Sequence, residues 1–501
     1  MKIEVQEFQK NIQEKLSSFE PDKKDIKIIF WNSVSNSENK MLNEIINSFH
    51  KKQNHKIKVI SVNKGNWPEL YKNVSGVLPT DNYPNLVFCY PDFLFSYYYS
   101  GKLLPFDKFI KHSQDNYEEK DKIKEFQLYK INEDKVEINT QEKIKEETYS
   151  SYWEEGLVKI NKKNKQIFSL PFFKTEDLLY YNKTYFAENK KEFEKAFKKN
   201  FNENNENWDK YWKKYEQYFN IESTDIPTIS FTWKQIEILC ETIKNIEKKN
   251  NKKIIPFFIQ SIENLFYDSV ESLKISNSKN DYFNNEIVKK EILKYFKKNF
   301  VDKEYLTSEK LFGLTDNISV FKNKEISMMI NSSRKLEDYR KNINNNDFIL
   351  GIAPIPYHNQ INSNHNNDSK ALQQGPSICL FYKKNIDEIL ASWYFIKYLF
   401  SEEVNKILLK SGKFSPIKQY VKQYLEEQKN YKNDLQYCLF KLMDSTNKNK
   451  FYTRVFEKSN ILRESIGNLF VSCLIINSKN DEYLDSEINK NIKFYENYYN
   501  S

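Results

Sequence analysis

The stretch Ile167–Phe186, IFSLPFFKTEDLLYYNKTYF, sets a proline between two apolar, strand-like runs. Pro171 has no N–H to give to a sheet ladder, and it biases Leu170 toward extended backbone. After the Pro171-Phe172-Phe173 kink comes a polar step, Lys174-Thr175-Glu176-Asp177, and then a second apolar run, Leu178-Leu179-Tyr180-Tyr181. A chain that bends in this way leaves one sheet and enters another, so the segment predicts a crossing between two lobes. The length of 501 residues agrees, because it exceeds what a single hydrophobic core usually serves.

The remaining periodicities place elements on either side of that crossing. Val5, Phe8, Ile12, Leu16 and Phe19 recur at helical spacing until Pro21, a helical leader. Ile26–Trp31 reads as a buried strand, followed by a polar turn, a helix with Met41, Leu42, Ile45, Ile46 and Phe49 on one face, and a second strand from Ile57 to Val62. This β-α-β unit implies a parallel sheet with a right-handed crossover. Pro84–Asp92 reads as a third buried strand with a polar stop. Ligands of open α/β sheets bind beyond the carboxyl ends of the strands, where Tyr90 and Asp92 stand; Asp92 serves equally as the N-cap of the next helix.

Residues 111–165 are dense in charge, and the reading is a surface insertion that buries little, apart from a cluster around Tyr149, Tyr152 and Trp153. Trp208, Trp212, Tyr215 and Phe219 form a helical packing stripe, and Thr232 with Gln235 makes a capping box. Strands follow at Ile254–Gln260, at Ile326–Ile330 as a second crossing, and at Phe348–Pro356, before the turn Gln373–Ser377 and a strand from Ile378 to Tyr382. His358 and His365 share a loop without a third ligand at metal spacing, so no metal site is expected there.

Several of these pieces, in order over about residues 24–420, resemble the extracellular solute-binding proteins of ABC importers, family 1, the carbohydrate-binding type. The pieces are Leu170-Pro171-Phe172 with Tyr180-Tyr181-Asn182-Lys183, the Thr232-Trp233 helix start, Phe321–Ser333, Ile352–Pro356, and Trp393–Phe400 followed by Gly412 and Pro416. The resemblance implies an α/β, two-lobed periplasmic-binding-protein-like (type II) fold, each lobe a mostly parallel sheet flanked by helices, joined by crossing hinge strands. The expected division is a leader at 1–23, lobe 1 at 24–170 with the charged insertion 111–165, lobe 2 at 171–331, a lobe 1 return at 332–383, and lobe 2 with C-terminal helices at 384–501.

By that resemblance the ligand-binding set is Trp31, Ser33, Tyr90, Asp92, Phe173, Tyr181, Ser332, Arg334, Gln374 and Gly375, with Trp31 serving equally as core. Aromatic rings would cover the apolar faces of a sugar, and the polar groups would pair with its hydroxyls. The implied function is capture of a sugar or oligosaccharide by hinge closure and delivery to ABC permease subunits. A glycerol-phosphate ligand, drawing on Arg334, and a non-transport surface adhesin are the alternatives.

Composition narrows the field. The net charge of +9 comes from 78 basic and 69 acidic residues that alternate along the chain, without the clustered footprint of a nucleic-acid binder, although a mild attraction to an anionic membrane surface is compatible. Five scattered cysteines carry neither a disulfide framework nor a C-x-x-C metal pair. P-loop, G-x-G-x-x-G, nucleophile-elbow and H-E-x-x-H signatures are missing, which counts against an enzyme; the resemblance implies a cofactor-free, monomeric binding protein. No apolar span reaches membrane-crossing length, and Met1–Asp25 carries no apolar export core or lipid-attachment cysteine. Residence at the extracellular face of the cell membrane then calls for an anchor or export signal outside this sequence.

Overall fold

In the computed structural model the chain divides into two units. The first comprises Met1–Thr175, Gln373–Glu427 and Tyr452–Asn460; the second comprises Glu176–Leu372, Gln428–Phe451 and Ile461–Ser501. The structure describes residues 3–500 except 22, 24, 55, 117–122, 133–134, 162–163, 202–206, 223–225, 253, 276–281, 284, 314–316, 344–346, 359–369, 432–433, 454 and 479; His365 thus lies outside the described residues.

The leader forms two helices, α1 (Ile3–Lys10) and α2 (Ile12–Ser18), that break at Asn11 and bury Val5, Phe8 and Ile12. β1 (Ile26–Asn32) buries every second residue, with Ile28 and Phe30 fully enclosed. α3 (Asn36–Lys52) starts at a capping box in which Ser35 and Glu38 satisfy each other's backbone N–H groups. β2 (Ile57–Asn63) and α4 (Trp67–Val77) follow, the latter capped by Asn66 and Glu69. Next come β3 (Leu86–Cys89), α5 (Pro91–Tyr99) and α6 (Asp107–Asn116). β1 pairs in parallel with β2 on one side and β3 on the other, as the β-α-β reading requires.

Residues 111–165 are better packed than their charge suggests. Two hairpins, β4 (Tyr129–Asn132) with β5 (Lys135–Ile138) and β6 (Leu157–Lys159) with β7 (Lys165–Ile167), frame a short helix, Ser150–Glu154. The few apolar side chains are concentrated: Phe126, Leu128, Tyr129, Tyr149, Tyr152 and Trp153 are all buried. Trp153 stands edge-on to Phe126, lies against Phe400, and donates from Nε1 to the Pro416 carbonyl at 3.2 Å, so it is core. β8 (Leu170–Pro171) closes the first sheet through the returning strand Ser377–Leu380, antiparallel to both β3 and β8; Pro171 sits at the sheet edge, where a missing donor costs nothing.

The second unit is built on β9 (Thr175–Asn182), eight residues without one exposed position. β10 (Phe257–Ile259) is shortened by Pro256 and pairs in parallel with β11 (Leu306–Ser308) and with β12 (Met328–Ser332). β12 and β13 (Leu350–Pro354) are both antiparallel to β9, and β14 (Ala371–Gln374) continues the sheet to Lys450–Phe451. Tyr181 packs against Phe186 and Tyr218, with its ring seated over Gly351, where a Cβ would come within 2.3 Å of the ring.

Two expectations about connectivity are corrected. The strand near Ile326–Ile330 is not a crossing, because the chain on both sides of β12, Glu176–Leu372, belongs to the second unit; the first return passage falls between Leu372 and Gln373, within β14. Residues 384–427 join the first unit, since the helix Ile386–Leu399 packs on β1 and α3.

Candidate functional site

In the first unit, the carboxyl ends of β1 and β3 carry an aromatic platform. Trp31, the penultimate residue of β1, is half-buried, with the Lys64 ammonium 4.0 Å from its ring centre. The Trp67 ring, at the first position of α4, meets Tyr90 at 4.3 Å and 54°. One turn on, Tyr71 stacks on Phe93 at 4.6 Å, and its hydroxyl accepts from Asn460 Nδ2 at 3.2 Å. Trp31, Trp67, Tyr71, Tyr90 and Phe93 are all half-buried, each packed along one side and open on another. Such rings offer flat apolar surface at little conformational cost.

Polar groups rim this platform. Ser33 is buried and donates to the Gly65 carbonyl at 2.7 Å, which holds the turn before α4. Gly65 itself sits at φ +82°, a left-handed position that favours glycine. Tyr90 is the N-cap residue of α5, so Asp92 falls inside the first turn rather than at the cap; its side chain is buried and its carbonyl accepts from Ser459 Oγ at 2.9 Å. An acidic group in the first turn is favoured by the helix dipole.

A second group of expected residues lies at the end of this unit's chain path toward Thr175. Phe173 is fully buried, with the Lys413 ammonium 5.6 Å from its ring; Lys413 also pairs with the buried Glu38 at 3.0 Å. Gly375 adopts φ +108°, and any Cβ there would meet the Phe173 carbonyl at 2.2 Å, so only glycine lets these two backbones approach. Gln374 is half-buried beside it. Below them is a closed polar network. Lys174 pairs with Glu155; Ser377 Oγ donates to the same carboxylate at 2.6 Å, and Gln373 Nε2 donates to its other oxygen at 2.7 Å. Burial pushes the Lys174 ammonium below its ordinary pKa, and Glu155 pulls it back up.

In the second unit, the start of β9 and the end of β12 are adjacent, with Asp177 opposite Ser332. Asp177 accepts from Asn264 Nδ2 at 2.7 Å, and Arg463 donates to Asn264 Oδ1 while lying 5.5 Å over the Tyr267 ring. Burial raises the Asp177 carboxyl to about 6, against the lowering influence of Asn264 and Arg463. Ser332 is half-buried; its hydroxyl accepts from the Arg334 N–H at 3.3 Å and its carbonyl from Tyr180 at 3.0 Å. Ser333 Oγ accepts from the Glu176 N–H at 3.1 Å, and Arg334 is half-buried in the turn that follows. Tyr181 is in the core of this unit.

The structure therefore gathers Trp31, Ser33, Tyr90 and Asp92 on one face of the first unit and sets Phe173, Gln374 and Gly375 together elsewhere in that unit. It places Ser332 and Arg334 beside Asp177 in the second. Trp67, Tyr71 and Phe93 were missed as surface rings, because helical spacing reads the same for a packing stripe and for a platform; the signal available was Trp67 directly after the Asn66 cap. Arg463 and Asn460 were missed because the C-terminal region carries no motif. His358 is buried, its ring is 3.1 Å from Ser269 Oγ, and burial lowers its pKa to about 3.

A family model described as bacterial extracellular solute-binding protein matches residues 44–437. Solved structures share the fold of two-domain periplasmic binding proteins. The GacH receptor of Streptomyces glaucescens, solved unliganded and with acarbose, is 13% identical with a TM-score of 0.60, over 94% of this chain and 98% of that one. An ABC substrate-binding protein of Listeria monocytogenes, in complex with cycloalternan, is 15% identical with a TM-score of 0.61, over 95% and 98%. UgpB of Mycobacterium tuberculosis, in complex with glycerophosphocholine, is 12% identical with a TM-score of 0.59, over 94% and 98%. None of the curated proteins matches the chain.

Proposed function

The chain belongs to the bacterial extracellular solute-binding protein family, and from that premise we propose that it captures a sugar or short oligosaccharide, by hinge closure, for delivery to the permease of an ABC importer. The observation that supports this ligand class is the aromatic platform of Trp31, Trp67 and Tyr90 at the carboxyl edge of the first sheet. Half-open rings cover the C–H faces of a pyranose, and neighbouring polar groups meet its hydroxyls. The proposed ligand-contacting residues of the first unit are Trp31, Ser33, Tyr90, Asp92, Gln374 and Gly375, extended by Trp67; those of the second unit are Ser332 and Arg334. Phe173 and Tyr181 act from within, each fixing the backbone that carries such residues. The proposal includes a monomer that works at the extracellular face of the membrane and performs no chemistry on its ligand.

A thermal-shift screen against monosaccharides, maltodextrins, glycerol phosphate and peptides tests the reading. A ligand present at about 100 times its dissociation constant adds about 2.7 kcal/mol of stability, a readable rise in Tm. A response confined to carbohydrates supports the proposal; a response only to glycerol phosphate replaces the ligand class, and silence across the panel overturns importer capture of these solutes.

A further inference from the structure

A cavity of about 500 Å³ in the first unit, separate from the aromatic platform, is lined by side-chain amides. Three come from the leader helices, Gln6, Gln9 and Gln13, and three from the two hairpins, Asn132, Asn164 and Gln166. We propose that this cavity is a second binding site for a neutral polyhydroxylated ligand, a short saccharide or polyol.

Three observations carry it. An amide offers both a donor and an acceptor, as a hydroxyl does, so a wall of six amides suits a ligand that presents many hydroxyls and no charge. Gln9 supplies an unmet demand: its side chain is more than nine-tenths buried, it lines the cavity, and its Nε2 has no hydrogen-bond partner among the described residues. Finally, three of the four lysines around the cavity are already engaged. Lys111 pairs with Asp115 at 2.9 Å, Lys135 pairs with Glu137, and Lys108 Nζ donates to the Gln9 carbonyl at 2.7 Å. Asp107 is turned toward the Ile167 N–H, from which it accepts at 3.2 Å. Of the four lining lysines only the exposed Lys165 has no partner among the described residues, whereas Pro105, Ile131 and Val136 give a sugar's C–H groups an apolar wall. The volume lies within the range of small-molecule sites.

The test uses the full chain and titration calorimetry with glucose, maltose and trehalose at up to millimolar concentrations. In a Trp67→Ala/Tyr90→Ala background, which disables the platform, at least one of the three sugars still binds. Adding Gln9→Leu with Gln166→Leu weakens that binding at least tenfold. Because Gln9 is buried, Gln6→Ala with Asn164→Ala is run beside it; these positions are at least partly exposed, and the same direction of effect is expected. No saccharide heat in the platform-disabled background, or heat that neither pair of substitutions changes, overturns the second site. The proposed platform function is judged separately, from the loss caused by Trp67→Ala and Tyr90→Ala alone.

Discussion

Lys174 and Glu176, two residues apart on one chain segment, are neutralised by buried partners in different units: Lys174 by Glu155 in the first, Glu176 by Lys450 in the second. All four side chains are almost wholly enclosed. The chain passes from one unit to the other between Thr175 and Glu176, so each side of that passage is tied to its own unit by a buried ion pair.

Removing one member of such a pair strands a buried charge, which costs about 3–5 kcal/mol. Lys174→Met and Lys450→Met are each expected to fall in that range in urea unfolding. Lys174→Met combined with Glu155→Gln should cost less than the two singles together, because the remaining partner is then uncharged and still bonded to Ser377 and Gln373. Strict additivity in the double-mutant cycle would show that the Lys174–Glu155 pair is not coupled.

The platform makes a separable prediction. Trp67→Ala and Tyr90→Ala should each weaken carbohydrate binding about tenfold or more, which is about 1.4 kcal/mol, while the unliganded Tm falls only modestly because both rings are half-buried. Calorimetric affinities unchanged in both variants would remove these rings from the ligand-contacting set.

Stability should fall as the pH rises from about 4 to about 7 on account of three carboxyls. Burial holds Asp107 and Glu125 at about 7 and Asp177 at about 6, above ordinary carboxyl values of about 4. Each binds its proton more tightly folded than unfolded, so its contribution is full below the unfolded value and is lost as the pH rises through the folded one. Asp107→Asn and Glu125→Gln should flatten the decline of Tm between about pH 5 and about pH 8. Gln keeps an acceptor for the Lys418 N–H, which Glu125 now serves at 3.2 Å. An unaltered slope in the double variant would assign the decline to other groups.

Gly351→Ala forces a Cβ into the Tyr181 ring and should cost about 1–3 kcal/mol by overpacking. Shrinking the ring with Tyr181→Leu in the same chain should restore part of that loss, whereas Tyr181→Leu alone leaves a cavity and destabilises. If the second substitution made Gly351→Ala worse, the contact would not be the source of the strain.

Local signals were legible where one residue's chemistry decides the outcome. Thr232 with Gln235 caps its helix because the two side chains answer each other's backbone across one turn. Pro171 ends on a sheet edge because it has no donor. The alternating β1 and the β-α-β unit followed from burial period alone. For the candidate site the sequence points only to strand ends: Tyr90 and Asp92 stand beyond β3, but whether their neighbours on α4 are platform or packing depends on what faces them in space.

What the sequence by itself determined is therefore a crossing within Ile167–Phe186, read at the Pro171 kink, the two-lobed α/β class, and the strands and caps written in periods of two and 3.6. Tertiary structure decided where the chain returns, that residues 384–427 belong with the first unit, and that Lys174 and Glu176 find Glu155 and Lys450. Periodicity records only which face of an element is apolar. Which element covers that face, and which distant charge neutralises a buried lysine, is set by packing between segments far apart in the chain.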